Sequence, residues 1–220
     1  MKREAFLSRV RSAIDQSTIP ENPETDPGPL VPDLPPVDLI ERFATALETV
    51  SGTLHVGEGL PAIDHIVERY GPGSLLAWDD EALPITGASE RFLDVGCSLT
   101  DGIVPSSTDG RADHQRRYFD VKYGLTGAEA AFAETGSVVV RSGPGRSRMA
   151  SLIPLIHVVL LPADQIYRSP MHWLAEPGSN AAGAANVVYI TGPSRTADIE
   201  QKLTLGVHGP RELHVVLIPA

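Results

Sequence analysis

Residues 156–161 read Ile-His-Val-Val-Leu-Leu, apolar at every position but one and without alternation. A strand with one wet face alternates apolar and polar residues with period two. An unbroken apolar strand is buried on both faces, as in a parallel sheet covered by helices. Three further stretches, Ser137–Val140, Val187–Ile190 and Leu213–Ile218, have the same character. Ser74–Trp78, Thr53–Val56 and Phe92–Val95 add shorter strand candidates, and Asp38–Val50 and Ile63–Tyr70 read as amphipathic helices between them. The expected fold is therefore α/β, a three-layer αβα sandwich around a mostly parallel sheet.

Upstream of this domain, Phe6, Val10 and Ile14 recur every four residues with charges opposite, which predicts a surface helix over 2–16. Seven prolines between Pro20 and Pro36 make the next stretch an extended arm that buries little. The division expected is an N-terminal helix and Pro-rich arm over 1–36 and a main domain over 37–220.

The 220 residues carry 28 Asp plus Glu against 18 Lys plus Arg, a formal charge of −10. A broad nucleic-acid or anionic-membrane surface needs a basic face, so both are disfavoured. The one cysteine, Cys97, excludes a disulfide framework and any iron–sulfur cluster held by this chain's own thiolates. Cys97 itself reads as a buried, inert thiol. Of the seven histidines none pair at i,i+4 and no His-Glu-x-x-His occurs, so no metal site is indicated. His157 and His214 sit in apolar strands and read as core histidines bonded to backbone. The start, MKREAFLSRVRSAID, lacks the apolar core of a secretory signal, and no apolar run approaches the roughly 20 residues of a membrane span. A cytoplasmic location follows.

Three places invite chemistry. After the strand Val187–Ile190 come Thr191-Gly192-Pro193 and Ser194-Arg195-Thr196, then an expected helix through Ile199, Leu203 and Leu205. Free N–H groups at such a helix start attract anions, with Ser194 or Thr196 as cap and Arg195 as a cation. Asp198 and Glu200 compete for the same dipole. Thr126 and Glu129 have capping-box spacing, predicting a helix through Phe132 that ends at Glu134-Thr135-Gly136. A strand-end carboxylate there, Glu134, is the candidate catalytic residue, against the reading of a solvated surface acid. The loop Arg141–Arg148 holds three arginines among glycines, a cation cluster suited to carboxylate or phosphate, against the reading of a surface hairpin. His208, in a Gly-rich turn, is the histidine placed to face a cleft.

Together, GLTGAEAAFAETGSVVV (124–140), SLIPLIHVVLL (151–161) and TGPSRTADIEQKLTLGVHGPRELHVVLI (191–218) resemble the LutC-type lactate-utilisation family, whose members are built on a LUD domain. The resemblance covers roughly the last hundred residues in clear motifs. It implies a fold like that of the ribose-phosphate isomerase, glucosamine-phosphate deaminase and CoA-transferase group. It also implies iron–sulfur subunits as partners in oxidising L-lactate to pyruvate, a role the single cysteine fits. A small anionic ligand, a nucleotide included, is expected near Thr135, Gly136, Gly192, Ser194, Arg195, Thr196, Asp198 and His208. Three classes stay open: an accessory binding subunit, an autonomous enzyme using Glu134 as base or nucleophile, and a scaffold.

Overall fold

The computed structural model describes residues 3–16, 38–100, 118, 120–176, 184–197, 203–205 and 208–219. The chain divides into two compact units, Met1–Pro32 and Asp33–Ala220. In the first, helix α1 (Arg3–Gln16) exposes Phe6, Leu7 and Val10. The Pro-rich arm lies outside the described residues.

In the second unit, α2 (Leu39–Thr49) begins where Asp38 accepts hydrogen bonds from the Ile40 and Glu41 N–H groups, both 3.0 Å. Such a cap satisfies donors that the first helical turn leaves unpaired. Asp38→Ala is expected to cost about 1 kcal/mol, readable as a lower urea midpoint with an unchanged slope. β1 (Thr53–His55), α3 (Ala62–Tyr70), β2 (Ser74–Ala77), α4 (Ala88–Asp94), β3 (Ser98–Leu99) and β4 (Val121–Gly127) follow. Later come β5 (Ala130–Phe132), β6 (Ser137–Ser142), β7 (Ile156–Pro162), β8 (Ile166–Tyr167) and α5 (Pro170–Leu174). β9 (Asn186–Ile190), β10 (Arg195–Ala197), β11 (Leu203–Leu205) and β12 (Glu212–Ile218) close the chain.

Six strands form one sheet in the order β1-β12-β7-β4-β2-β3, every neighbouring pair parallel. β7 and β12 lie side by side at its centre, with Val158, Val159, Leu160, Val215 and Val216 fully buried. The unbroken apolar pattern was a sound guide there, and helices flank the sheet as the α/β reading requires. Alternation along the strands separates its faces. Tyr123 of β4 packs at a tilt against Phe92 of α4, and His214 of β12 meets Tyr70 of α3. On the other face Gly124 lies against Ala150 and Pro154.

Four local expectations are corrected. Phe92–Val95 is not a strand: Phe92, Leu93 and Asp94 belong to α4, where Ala88 and Phe92, four apart, are both buried. No helix starts at Thr126. That residue lies in β4, and Ala130–Phe132 pairs antiparallel with Ser137–Val139, because burial between strands overrides alanine's helical preference. Ser137–Val140 and Val187–Ile190 belong to a second sheet, β8-β5-β6-β9, where β6 runs antiparallel to both neighbours. The stretch after Pro193 is not a helix start either: Arg195–Ala197 pairs antiparallel with Leu203–Leu205.

The core histidines are in place, with one difference. His157 and His214 are buried, at 1% and 2% exposure, but hydrogen-bond to side chains rather than backbone. His157 Nε2 meets Thr126 Oγ1 at 2.9 Å, and His214 joins His55 at 3.1 Å and the Tyr70 hydroxyl at 3.3 Å. Burial holds the His157 pKa down to about 3 and that of His214 down to about 4. Cys97 is buried.

Candidate functional site

In an open parallel sheet, ligands collect outside the carboxyl ends of the strands, at the point where connections leave adjacent strands in opposite directions. That point lies between β2 and β4. From β2 the chain goes through α4 to β3, at the sheet's edge; from β4 it goes through the second sheet to β7, on the other side. The crevice so formed holds a cleft of about 550 Å³, lined by Asp79, Glu81 and Ala82 just after β2 and by Arg141–Arg146 and Ala184.

The local chain explains its shape. Trp78 N–H donates to the Leu125 carbonyl, and Asp79 N–H donates to the Gly145 carbonyl at 2.8 Å, so the end of β2 is tied to the arginine turn. Gly143 and Arg146 exchange backbone hydrogen bonds across that turn, and Gly145 adopts φ +68°, which favours glycine. The Trp78 indole donates to the Ser147 carbonyl at 3.1 Å, and the Arg146 guanidinium lies 5.5 Å from its ring centre.

Glu129, two residues past β4, holds both guanidinium groups: Oε2 is 2.7 Å from Arg141 Nε and Oε1 is 3.3 Å from Arg146 Nη1. All three side chains are at most about one-third exposed, so the triad is screened less than a surface pair. The side-chain carboxylates of Asp79 and Glu81, on the opposite wall, have no hydrogen bond or ion pair among the described residues. The cleft therefore presents oriented cations on one side and bare acceptors on the other. The arginine loop was visible in sequence as a cation cluster. Glu129 was not, because only the β4–β6 arrangement brings it to Arg141.

The other candidates gather elsewhere. Thr135 Oγ1, Ser137 Oγ and Thr191 Oγ1 form a hydroxyl chain with 2.8 Å links, and Arg195 Nη2 donates to Ser51 Oγ at 2.8 Å. Gly136 and Gly192 both press on the C-terminal end of α2: an added Cβ would come within 2.5 Å of Leu47 N and 2.2 Å of the Val50 carbonyl oxygen. Close backbone packing thus accounts for both glycines. Ser194 N–H donates to the Pro210 carbonyl, just before β12, so Ser194 sits at the amino end of that strand, away from the carboxyl-end cleft. Glu134 lies in the β5–β6 turn, ion-paired with Arg168 Nε at 3.1 Å, beside an open cleft it shares with Asp38, Glu41, Arg42 and Thr45. His208 is exposed; the Thr196 side chain and Asp198 lie outside the described residues. Among the described residues no group of three His, Cys, Asp or Glu side chains is arranged to hold a metal, and no helix is long and apolar enough to cross a membrane.

A second polar cluster lines the α3 face. His65 Nδ1 meets Glu58 at 2.7 Å, and this partner raises the His65 pKa; burial lowers that of His55 next to His214.

Comparison with known proteins agrees with this architecture. The chain is 30% identical to lactate utilization protein C of Macrococcus caseolyticus over 164 residues, 71% of this chain and 66% of the relative. It is 27% identical to the protein of the same name from Shouchella clausii, over 83% of this chain and 78% of that one. The namesake from Anoxybacillus flavithermus is also 27% identical, over 98% of each. A crystal structure of a DUF162 family protein from Deinococcus radiodurans shares the fold, with a TM-score of 0.58 at 19% identity over 84% of this chain and all of that one. The LUD domain model matches residues 74–218, from the first residue of β2 to the last of β12. This chain belongs to the LUD-domain family.

Proposed function

We propose that the chain acts in lactate utilisation as a LutC-type accessory subunit, in the cytosol, beside iron–sulfur subunits that oxidise L-lactate to pyruvate. The carrying observation is the LUD match across 74–218 together with relatives named lactate utilization protein C. The single, buried cysteine leaves iron–sulfur chemistry to partners. In this reading a small anionic ligand or cofactor sits in the β2–β4 cleft, where Arg141 and Arg146 offer cations. The second location for that ligand is the cluster of Thr135, Ser137, Thr191 and Arg195 at the end of α2, favoured by its hydroxyl chain and cation.

Deleting the gene is expected to abolish growth of the parent organism on L-lactate as sole carbon source while leaving growth on glucose intact, with restoration by the intact chain. Unchanged growth on L-lactate in a strain without a second copy contradicts the proposal.

A further inference from the structure

We propose that Tyr70, His214, His55 and Glu58 form a one-proton relay, in which a proton taken up beside Tyr70 ends as a positive charge on His55 next to Glu58. The groups come from α3, β12, β1 and the β1–α3 loop, and they make one chain. The Tyr70 hydroxyl lies 3.3 Å from His214 Nε2, His214 Nδ1 lies 3.1 Å from His55 Nε2, and His55 Nδ1 faces Glu58 Oε1 at 3.9 Å. The carboxylate sets the direction of the whole chain. An ionised carboxylate only accepts, so His55 Nδ1 carries its ring hydrogen and Nε2 keeps its lone pair. His214 must then donate from Nδ1, which leaves its Nε2 to accept from the Tyr70 hydroxyl. Every hydrogen in the chain points toward Glu58.

In this order His55 offers no nitrogen to a proton from outside: one already bears hydrogen and the other faces His214. Uptake therefore goes through the far end. Tyr70 passes its hydrogen to His214 Nε2 and takes the incoming proton, while His214 passes its Nδ1 hydrogen to His55 Nε2. His214 is neutral before and after, with its hydrogen on the other nitrogen. The Tyr70 hydroxyl then turns to Glu212, the carboxylate beside it on β12. The facing charges favour His55 as the resting place. His214 is 2% exposed and has Arg69 nearby, whereas His55 has Glu58, with His65 as the opposing neighbour.

The charge is felt at a second cleft. Glu58 stands on the rim of a space of about 410 Å³ outside the carboxyl ends of β1, β7 and β12, with Ala163, Leu217 and Ile218 among its apolar walls. In the uncharged chain Glu58 Oε2 pairs with His65 Nδ1 at 2.7 Å. A charge on His55 draws that carboxylate inward. The glycines on either side, Gly57 and Gly59, have positive φ and nothing within 4 Å of their Cβ positions, so the rim is free to follow.

Two-bond 1H–15N correlation spectra of the full chain, labelled with 15N-histidine and titrated from pH 7.5 to 5, test the relay. At pH 7.5 both His55 and His214 are expected to carry hydrogen on Nδ1. As His55 gains its proton, the His214 hydrogen is expected to move to Nε2 with the same midpoint, the ring staying neutral. Glu58→Gln is expected to lower the midpoints of both His55 and His65, because it removes the charge they share. Tyr70→Phe, provided it keeps the parent's thermal midpoint at pH 7.5, is expected to slow proton exchange at His214 at least tenfold. A His214 hydrogen on Nε2 at pH 7.5, or one that stays on Nδ1 while His55 becomes charged, overturns the relay. So does protonation of His214 ahead of His55, an unchanged His55 midpoint in Glu58→Gln, or an exchange rate that Tyr70→Phe leaves unaltered.

Discussion

Gly124→Ala is expected to destabilise the protein by about 3 kcal/mol or more, enough to remove most of it from the soluble fraction at 37 °C. Gly124 sits inside β4, between β2 and β7, and a Cβ there would come within 1.9 Å of the Ala150 carbonyl oxygen and 2.6 Å of Pro154 Cγ. The first obstacle is backbone in a short 3-10 turn, Arg148–Ser151, so relief requires moving that whole turn away from the sheet. A flexible side chain would yield more cheaply, which is why the position is severe. Gly143→Ala is the matched control: nothing lies within 4 Å of its Cβ position, and the change should stay within about 0.5 kcal/mol. Urea denaturation of the two variants side by side checks the contrast. Equal midpoints would show that the Arg148–Ser151 turn does not press on β4.

Lowering the pH from 7.5 to 5 is expected to remove about 4 kcal/mol of stability through two histidines alone. His157 has its pKa depressed to about 3 by complete burial, with only Thr126 as a hydrogen-bond partner. His214 has its pKa depressed to about 4, first by burial and then by His55 and Arg69 nearby. Each is neutral in the native protein but takes a proton near pH 6.5 once unfolded. The unfolded chain therefore binds more protons below pH 6.5, and stability falls as the pH drops from there toward the native values. At pH 5 the loss is about 2 kcal/mol for each. The Asp64–Arg91 ion pair, which lowers the Asp64 pKa, acts in the same direction only at more acid pH. Urea unfolding at pH 7.5, 6 and 5 measures the slope. His157→Gln and His214→Gln should each flatten it by about half, whatever they do to stability at pH 7.5. A stability that does not change between pH 7.5 and 5 contradicts the burial of both rings as neutral imidazoles.

Where the residues specify the fold by themselves, the sequence was readable. β7 and β12 are almost wholly apolar because each is covered on both faces, and α2 announces itself by Phe43 and Leu47 on one side. The misreadings arise where tertiary pairing overrules a local signal. Thr126 and Glu129 have the spacing of a helix cap, yet Thr126 turns inward to His157 and Glu129 outward to two arginines. Phe92 and Leu93 suit a strand by propensity, but the Ala88–Phe92 spacing on the Tyr123 face makes them helical. Arg195–Ala197 closes a hairpin with residues 203–205, a partnership between segments that no local pattern encodes.

The same division holds for the site. The arginines of 141–148 were evident, but their use depends on Glu129 arriving from β4 and Asp79 from β2, strands joined to that loop only through the fold. Thr135, Gly136, Gly192, Ser194, Arg195, Thr196, Asp198 and His208 were singled out as a group. The structure does bring Thr135, Gly136, Gly192 and Arg195 to the end of α2, with a packing reason for the glycines.

The most direct test replaces the gene, in the parent organism, by alleles carrying Arg146→Gln or Arg195→Ala and measures growth on L-lactate, with protein levels followed by immunoblot. If the β2–β4 cleft holds the ligand of a lactate-utilisation subunit, Arg146→Gln fails to grow on L-lactate at normal protein abundance while Arg195→Ala grows like the parent. Normal growth of the Arg146→Gln strain, with or without a defect in Arg195→Ala, contradicts it.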